Sequence, residues 1–184
     1  MIEFYHTPSP HFVIRNFLSQ DELNAIESEI NFLDDKLIDS GLKEATKDNI
    51  ILRKAKGLFL SKFIKDYNQS PSMKFLVNSF TNPNFNTQIE VSWIRRLYLN
   101  IKNMSFLLNK YEEGDYYDKH HDNTIFTAIL CLKYECDGGD FFLNEESNII
   151  NLNHNDFILF FGCEEHGVHK VNSGTRYSIT TFMT

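Results

Sequence analysis

Apolar residues follow two different periods along this chain, and the change between them falls near residue 104. Before it, Leu23, Ile26, Ile30 and Leu33 recur at helical spacing. Ser19 and Glu22 stand ahead of them as a capping box, with Leu18 and Leu23 placed as its hydrophobic staple, which predicts a helix from about Gln20 to Asp35. Further helical stretches are expected over Gly57–Tyr67, Met73–Phe80 and Thr87–Asn100, with Pro83 in the break between the last two. From Met104 the apolar runs become short or alternating: Phe106–Tyr111, Ile125–Lys133, Asp140–Asn144, Ile149–Leu152, Phe157–Phe161, Val168–Val171 and Arg176–Met183. Gly, Asn and Asp clusters separate them, the signature of an antiparallel β unit. The pattern predicts an α+β protein with a mainly β core, in which N-terminal helices support a small barrel or sandwich. No repeat or linker divides the 184 residues, so one domain over 1–184 is expected, with 1–103 as mostly helical support and 104–184 as the core. Leu37–Arg53 is polar through its middle and reads as a solvated loop, with a mobile lid as the alternative.

Composition changes this picture little. Hydrophobic residues make up 42% and aromatics 14%, as in an ordinary globular chain. No apolar run approaches the roughly 20 residues that span a bilayer, and the start MIEFYHTPSP lacks a secretory pattern, so a cytoplasmic address and no membrane partner are expected. Three cysteines (Cys131, Cys136, Cys163) cannot close a disulfide framework. Cys163 and His166 have a C-x-x-H spacing, but no second close pair completes a structural zinc site. Charge is divided unevenly: residues 111–184 carry 4 Lys+Arg against 13 Asp+Glu. An acidic half of this kind disfavours nucleic acid as a partner.

The chemistry-bearing residues lie in that acidic half. In an extended His120-His121-Asp122 segment, positions 120 and 122 share a face and 121 points away. One imidazole and one carboxylate side by side are two of the three ligands of a facial triad for non-haem iron. Alone, H-x-D is a weak signal. Further on, His166 is followed by Gly167 and then by Arg176 and Ser178, two apart and on one strand face. Arginine holds a carboxylate bidentately and serine adds a hydroxyl donor. A metal ligand followed by a carboxylate clamp suits a dicarboxylate chelated at one end to the metal.

Taken together, H-x-D, Gly138-Gly139-Asp140 and H-x(9)-R-x-S resemble the 2-oxoglutarate/Fe(II) oxygenases, in particular their prolyl 4-hydroxylase-like branch, over about Asn109–Thr184. Tyr111-x-x-Gly114 and Tyr117-x-x-His120-x-Asp122 are similar to that branch's Y-x-x-G…Y-x-x-H-x-D segment, and Asn155-Asp156 before Phe157–Phe161 to its G-D-x-x-x-F strand. The resemblance implies a double-stranded β-helix (jelly roll), with iron on His120, Asp122 and His166 and the distal carboxylate of 2-oxoglutarate on Arg176. It selects His166 over His169, because the distal His of this branch lies ten residues before the basic residue. One departure stands out: where many prolyl hydroxylases have Tyr-Leu-Asn, with a Tyr that helps bind the carboxylate, this chain has Cys131-Leu132-Lys133. Tyr111 and Ser178 are the candidates to replace that hydroxyl, although Tyr111 and Tyr117 also suit a core.

The reaction implied is oxidative decarboxylation of 2-oxoglutarate to succinate and CO2, coupled to hydroxylation of a substrate C–H bond. Fe(II), 2-oxoglutarate and O2 are the cofactors implied, with ascorbate as an accessory reductant. Asp122 argues against halogenation, which vacates the carboxylate position for halide. A peptidyl residue such as proline is the leading substrate. A free amino acid or other small molecule is the alternative, since Glu112, Glu113, Asp115 and Asp118 near the mouth would suit a cationic group. A non-catalytic jelly-roll binding module is the reading from outside enzymology, and the intact triad with Arg176 speaks against it.

Overall fold

The computed structural model describes residues 2–39, 46–47 and 50–184. Its first half contains β1 (Ile2–Tyr5), β2 (His11–Ile14), α1 (Gln20–Leu33), β3 (Ile38–Asp39), β4 (Thr46–Lys47), β5 (Ile50–Ile51), β6 (Arg53–Lys54) and β7 (Lys56–Phe59). Four helices follow: α2 (Leu60–Phe63), α3 (Pro71–Thr81), α4 (Pro83–Gln88) and α5 (Ser92–Tyr98). The second half holds β8 (Met104–Tyr111), β9 (Tyr116–His120), β10 (Phe126–Gly138), β11 (Phe141–Leu143), β12 (Ile149–Ile150), β13 (Asp156–Phe161), β14 (His166–Val168) and β15 (Val171–Met183). The major sheet runs β1-β2-β13-β10-β15-β8-β7-β3 and the minor sheet β12-β11-β14-β9-β6, with antiparallel pairing throughout. This is the expected jelly-roll sandwich.

Strand alternation divides the major sheet between two cores. Phe106 and Leu108, Ala128, Leu130 and Leu132, and Ile179 and Met183 face one way, into a core with Ile26, Ile30, Leu76, Phe80 and Tyr98 of the helices. Ile129, Cys131, Ile158 and Phe160 face the other way, toward Phe141 and Leu143 of the minor sheet. The period of two thus produces a helix-covered outer face and an inner face that meets the second sheet. On that inner face, register pairs Arg176 with Tyr111, Ser178 with Asn109 and Thr180 with Leu107.

Helix α1 begins as expected. Glu22 N donates to Ser19 Oγ and Ser19 N donates to Glu22 Oε2 at 2.9 Å, while Leu18 and Leu23 are buried. Its predicted last residues, Asp34 and Asp35, instead enter a 3-10 turn through Lys36. Four expectations need correction. Gly57–Tyr67 is not a helix: β7 occupies its start because Lys56–Phe59 pairs with Leu107–Lys110, leaving one helical turn after it. Thr87–Asn100 is two helices, interrupted at Ile89–Val91, where Ile89 turns its side chain fully into the core. Val168–Val171 is not one strand, because His169 N bonds Asp140 O between β14 and β15. Finally, residues 1–103 are more than helical support: β1, β2, β3 and β7 extend the major sheet and β6 the minor one. Within Leu37–Arg53, residues 40–45 and 48–49 lie outside the described residues.

Candidate metal centre and cosubstrate pocket

Both sheets contribute to one open-mouthed cavity of about 50 Å³. The minor sheet brings His120 at the end of β9 opposite His166 at the start of β14, in register. Asp122, just beyond β9, is tied by its backbone N–H to Gly162 O. His120 Nε2 lies 3.8 Å from Asp122 Oδ1, and His166 Nε2 lies 3.4 Å from Asp122 Oδ2. One ligand atom from each of the three falls within 4.8 Å of the others, and this is the metal-competent cluster among the described residues. Cys163 is exposed and outside it.

Neighbouring groups aim these ligands. Nδ1 of His120 meets the carbonyl of Asp118 at 2.8 Å, and Nδ1 of His166 that of Glu164 at 2.9 Å. A carbonyl only accepts, so each Nδ1 carries a proton and each ring turns its Nε2 inward. Burial, then the nearby His166, pushes the His120 pKa down to about 4, so this ring is neutral at physiological pH. Burial raises the pKa of Asp122, but the adjoining His166 and the hydrogen bond from Thr127 outweigh it and hold the carboxyl below its ordinary range. Neutral imidazole and ionised carboxylate are the forms that bind a divalent cation.

Two expected outcomes follow. Thr127 Oγ1 donates to Asp122 Oδ2 at 2.7 Å, and Thr127→Val is expected to weaken Fe(II) binding by about 10–100-fold, as for other supports of metal ligands. Anaerobic calorimetry checks it. The second concerns acid. The buried His120 and His11 both titrate below their ordinary value of 6.5, so the unfolded chain binds more protons than the folded one as pH falls. The His120 contribution, about 3 kcal/mol, is complete above pH 6.5 and is lost as pH drops toward 4, and that of His11 falls in the same direction. Urea denaturation of the metal-free protein across that window should show the loss; flat stability would contradict it.

The major sheet supplies the other wall. Arg176 is 1% exposed, and its Nε, Nη1 and Nη2 are all buried without a hydrogen-bond partner. Its guanidinium lies 5.2 Å from the centroid of the Tyr111 ring. Ser178 follows on the same face, and both line the cavity with Tyr111. A buried cation with three idle nitrogens is costly unless an anion completes it. A dicarboxylate with one end on the metal is an anion of that kind, so the residues fit Fe(II) and 2-oxoglutarate. Cys131, where the hydroxylase pattern has Tyr, is fully buried on the inner face opposite Ser178. Tyr117 stacks on His120 at 3.6 Å between centroids and also lines the cavity. His169 stacks on Phe142 and lies outside the cavity. The Gly138-Gly139 turn needs its glycines: φ is +74° and +63°, and a Cβ on Gly138 would meet Lys170 O at 2.5 Å.

Sequence reasoning missed Thr127, Asn109, Thr180 and Arg53. Alternation from Tyr111 would have reached Asn109, and from Ser178 would have reached Thr180. Nothing local marks Arg53.

Fold and site together are similar to those of one class, the jelly-roll, non-haem iron oxygenases that use 2-oxoglutarate. Residues 106–184 match the model of the 2OG-Fe(II) oxygenase superfamily. No curated protein matches the sequence. Among solved structures, a prolyl-4-hydroxylase from Pseudomonas putida is similar with a TM-score of 0.68 at 16% identity, over 94% of this chain and 91% of that one. A prolyl hydroxylase from Trichoplax adhaerens, in complex with a hypoxia inducible factor peptide fragment, gives 0.67 at 19% identity, over 94% and 82%. The non-heme alpha ketoglutarate dependent epimerase SnoN from nogalamycin biosynthesis gives 0.61 at 13%, over 95% and 77%. In fold the chain is prolyl 4-hydroxylase-like. No helix among the described residues is long and apolar enough to cross a membrane.

Proposed function

We propose that the protein hydroxylates a C–H bond of a peptidyl residue such as proline, releasing succinate and CO2 from 2-oxoglutarate. The observation that carries the oxygenase reading is the buried, unpartnered guanidinium of Arg176 beside three converging ligand atoms. His120, Asp122 and His166 would hold Fe(II), which with 2-oxoglutarate and O2 supplies the oxidative chemistry. Arg176 would take the distal carboxylate, with Ser178 and Tyr111 beside it. Ile129, Phe141, Val168 and Phe182 line the cavity and would keep water from the reacting atoms. Asp122, fixed by Thr127, and the two carbonyl-tethered imidazoles would hold their positions through turnover.

Likeness to a hydroxylase solved with a peptide supports the peptidyl substrate. The small-molecule reading has its own support in the likeness to SnoN. The argument for a cationic substrate is weaker, since Glu112 pairs with Lys56 and Lys110, Asp115 pairs with Lys54, and neither these two nor Glu113 and Asp118 line the cavity. The test is aerobic incubation with Fe(II), 2-oxoglutarate and parallel panels of proline-containing peptides and free amino acids, read as succinate and as substrate mass. A peptide gaining one oxygen, with succinate above the substrate-free rate, supports the proposal. Gain only on free amino acids sinks the peptidyl version, and no gain on either sinks both.

A further inference from the structure

Two arginines reach the cavity, and 2-oxoglutarate accounts for one of them. The second, Arg53, comes from β6 at the edge of the minor sheet, in register with Tyr117. Its guanidinium carbon stands 5.5 Å from the centroid of the Tyr117 ring, and its Nε is buried without a partner. No hydrogen bond or ion pair reaches this guanidinium among the described residues. It also occupies a prepared space. Nη2 lies where a side chain on Gly57 would be, 2.8 Å from an ideal Cβ there. Gly57 pairs with Asn109, and Asn109 lies two residues before Tyr111, the partner of Arg176. The two guanidinium groups therefore serve successive inward positions along β8, on the order of 7 Å apart at strand rise. Between them the buried Oδ1 of Asn109 also lacks a partner, while its Nδ2 donates to Thr180 Oγ1 at 3.2 Å.

Charge shows what this arrangement lacks. Asp122 is the one acid lining the cavity among the described residues. With the centre loaded as read above, Fe(II) and Arg176 would balance Asp122 and the dianionic 2-oxoglutarate. Arg53 is then the charge in excess, facing the cavity beside an unpaired amide oxygen. We infer that Arg53 is a specificity-determining residue that binds a carboxylate of the primary substrate, with Asn109 Oδ1 accepting from a neighbouring N–H. The inference rests on the oxygenase reading of this cavity. The carboxylate is either the α-carboxylate of an amino acid or chain end, or an acidic side chain next to the hydroxylated residue of a peptide.

The test uses protein loaded with Fe(II) and 2-oxoglutarate under nitrogen. Calorimetry then measures binding of a paired library of acids and their primary amides: amino acids, N-acetyl amino acids, and capped dipeptides containing Asp or Glu. Tight ligands should come from the acids and weaken about 10–100-fold on amidation, the size of a lost charge-assisted hydrogen bond. Arg53→Gln should impose the same loss on the acid and none on its amide, and Arg53→Lys should restore part of it. Binding by amino acids or acetylated amino acids would assign the α-carboxylate, and binding by the capped dipeptides the side chain. Affinity of Arg53→Gln for 2-oxoglutarate itself should stay within about twofold of wild type. Ligands indifferent to amidation, no acid bound by wild type, or a large loss of 2-oxoglutarate affinity in Arg53→Gln would each overturn the inference. Failure of Fe(II) and 2-oxoglutarate to bind in the first place is seen separately, before any library member is added, and would remove the oxygenase reading and this inference with it.

Discussion

Arg176→Met is expected to weaken 2-oxoglutarate binding on the order of 10²–10³-fold while making the ligand-free protein more stable. The two effects have one cause. The guanidinium is 1% exposed with three idle nitrogens, so without an anion the fold bears the cost of dehydrating a charge. A methionine fills similar space without that cost, and replacing buried charge by apolar groups stabilises by about 1–4 kcal/mol in comparable cases. Part of the gain is given back with the contact to Tyr111. Urea denaturation with and without 2-oxoglutarate checks both halves: wild type should gain stability from the ligand, and the variant should start higher and gain nothing. A variant less stable than wild type, or still stabilised by 2-oxoglutarate, would show that Arg176 has another role.

His166→Ala is expected to abolish turnover, with a loss of at least about 10³-fold, because two ligands in place of three no longer hold a labile divalent ion against water. His169→Ala, three residues away, should leave metal affinity unchanged, since that ring stacks on Phe142 outside the cavity. Fe(II) titration of both variants under nitrogen, with circular dichroism to check folding, separates ligand loss from misfolding. Equal losses in the two would contradict the assignment.

What was legible in the sequence was what strand alternation carries. Arg176 and Ser178 share a face because β15 is a regular strand paired on both sides, and the same period sends Ile179 and Met183 into the helical core. The capping box at Ser19 was readable because its partners lie three residues apart. What stayed hidden was made by distant partners. Lys56–Phe59 is a strand because β8 lies beside it, not because of its own composition. Arg53 reaches the cavity only because β6 pairs with β9 more than sixty residues later, and because Gly57 leaves room for its guanidinium. His11–Ile14 is too short a run to announce itself, yet it pairs with both β1 and β13.

The most direct test of the central claim is an anaerobic titration of the purified protein with Fe(II) and 2-oxoglutarate, followed by visible absorption. The account predicts a saturable charge-transfer band at one iron and one 2-oxoglutarate per chain, which requires both additions and disappears in His166→Ala and Arg176→Met. Absence of the band in wild type, or its persistence in both variants, would contradict it.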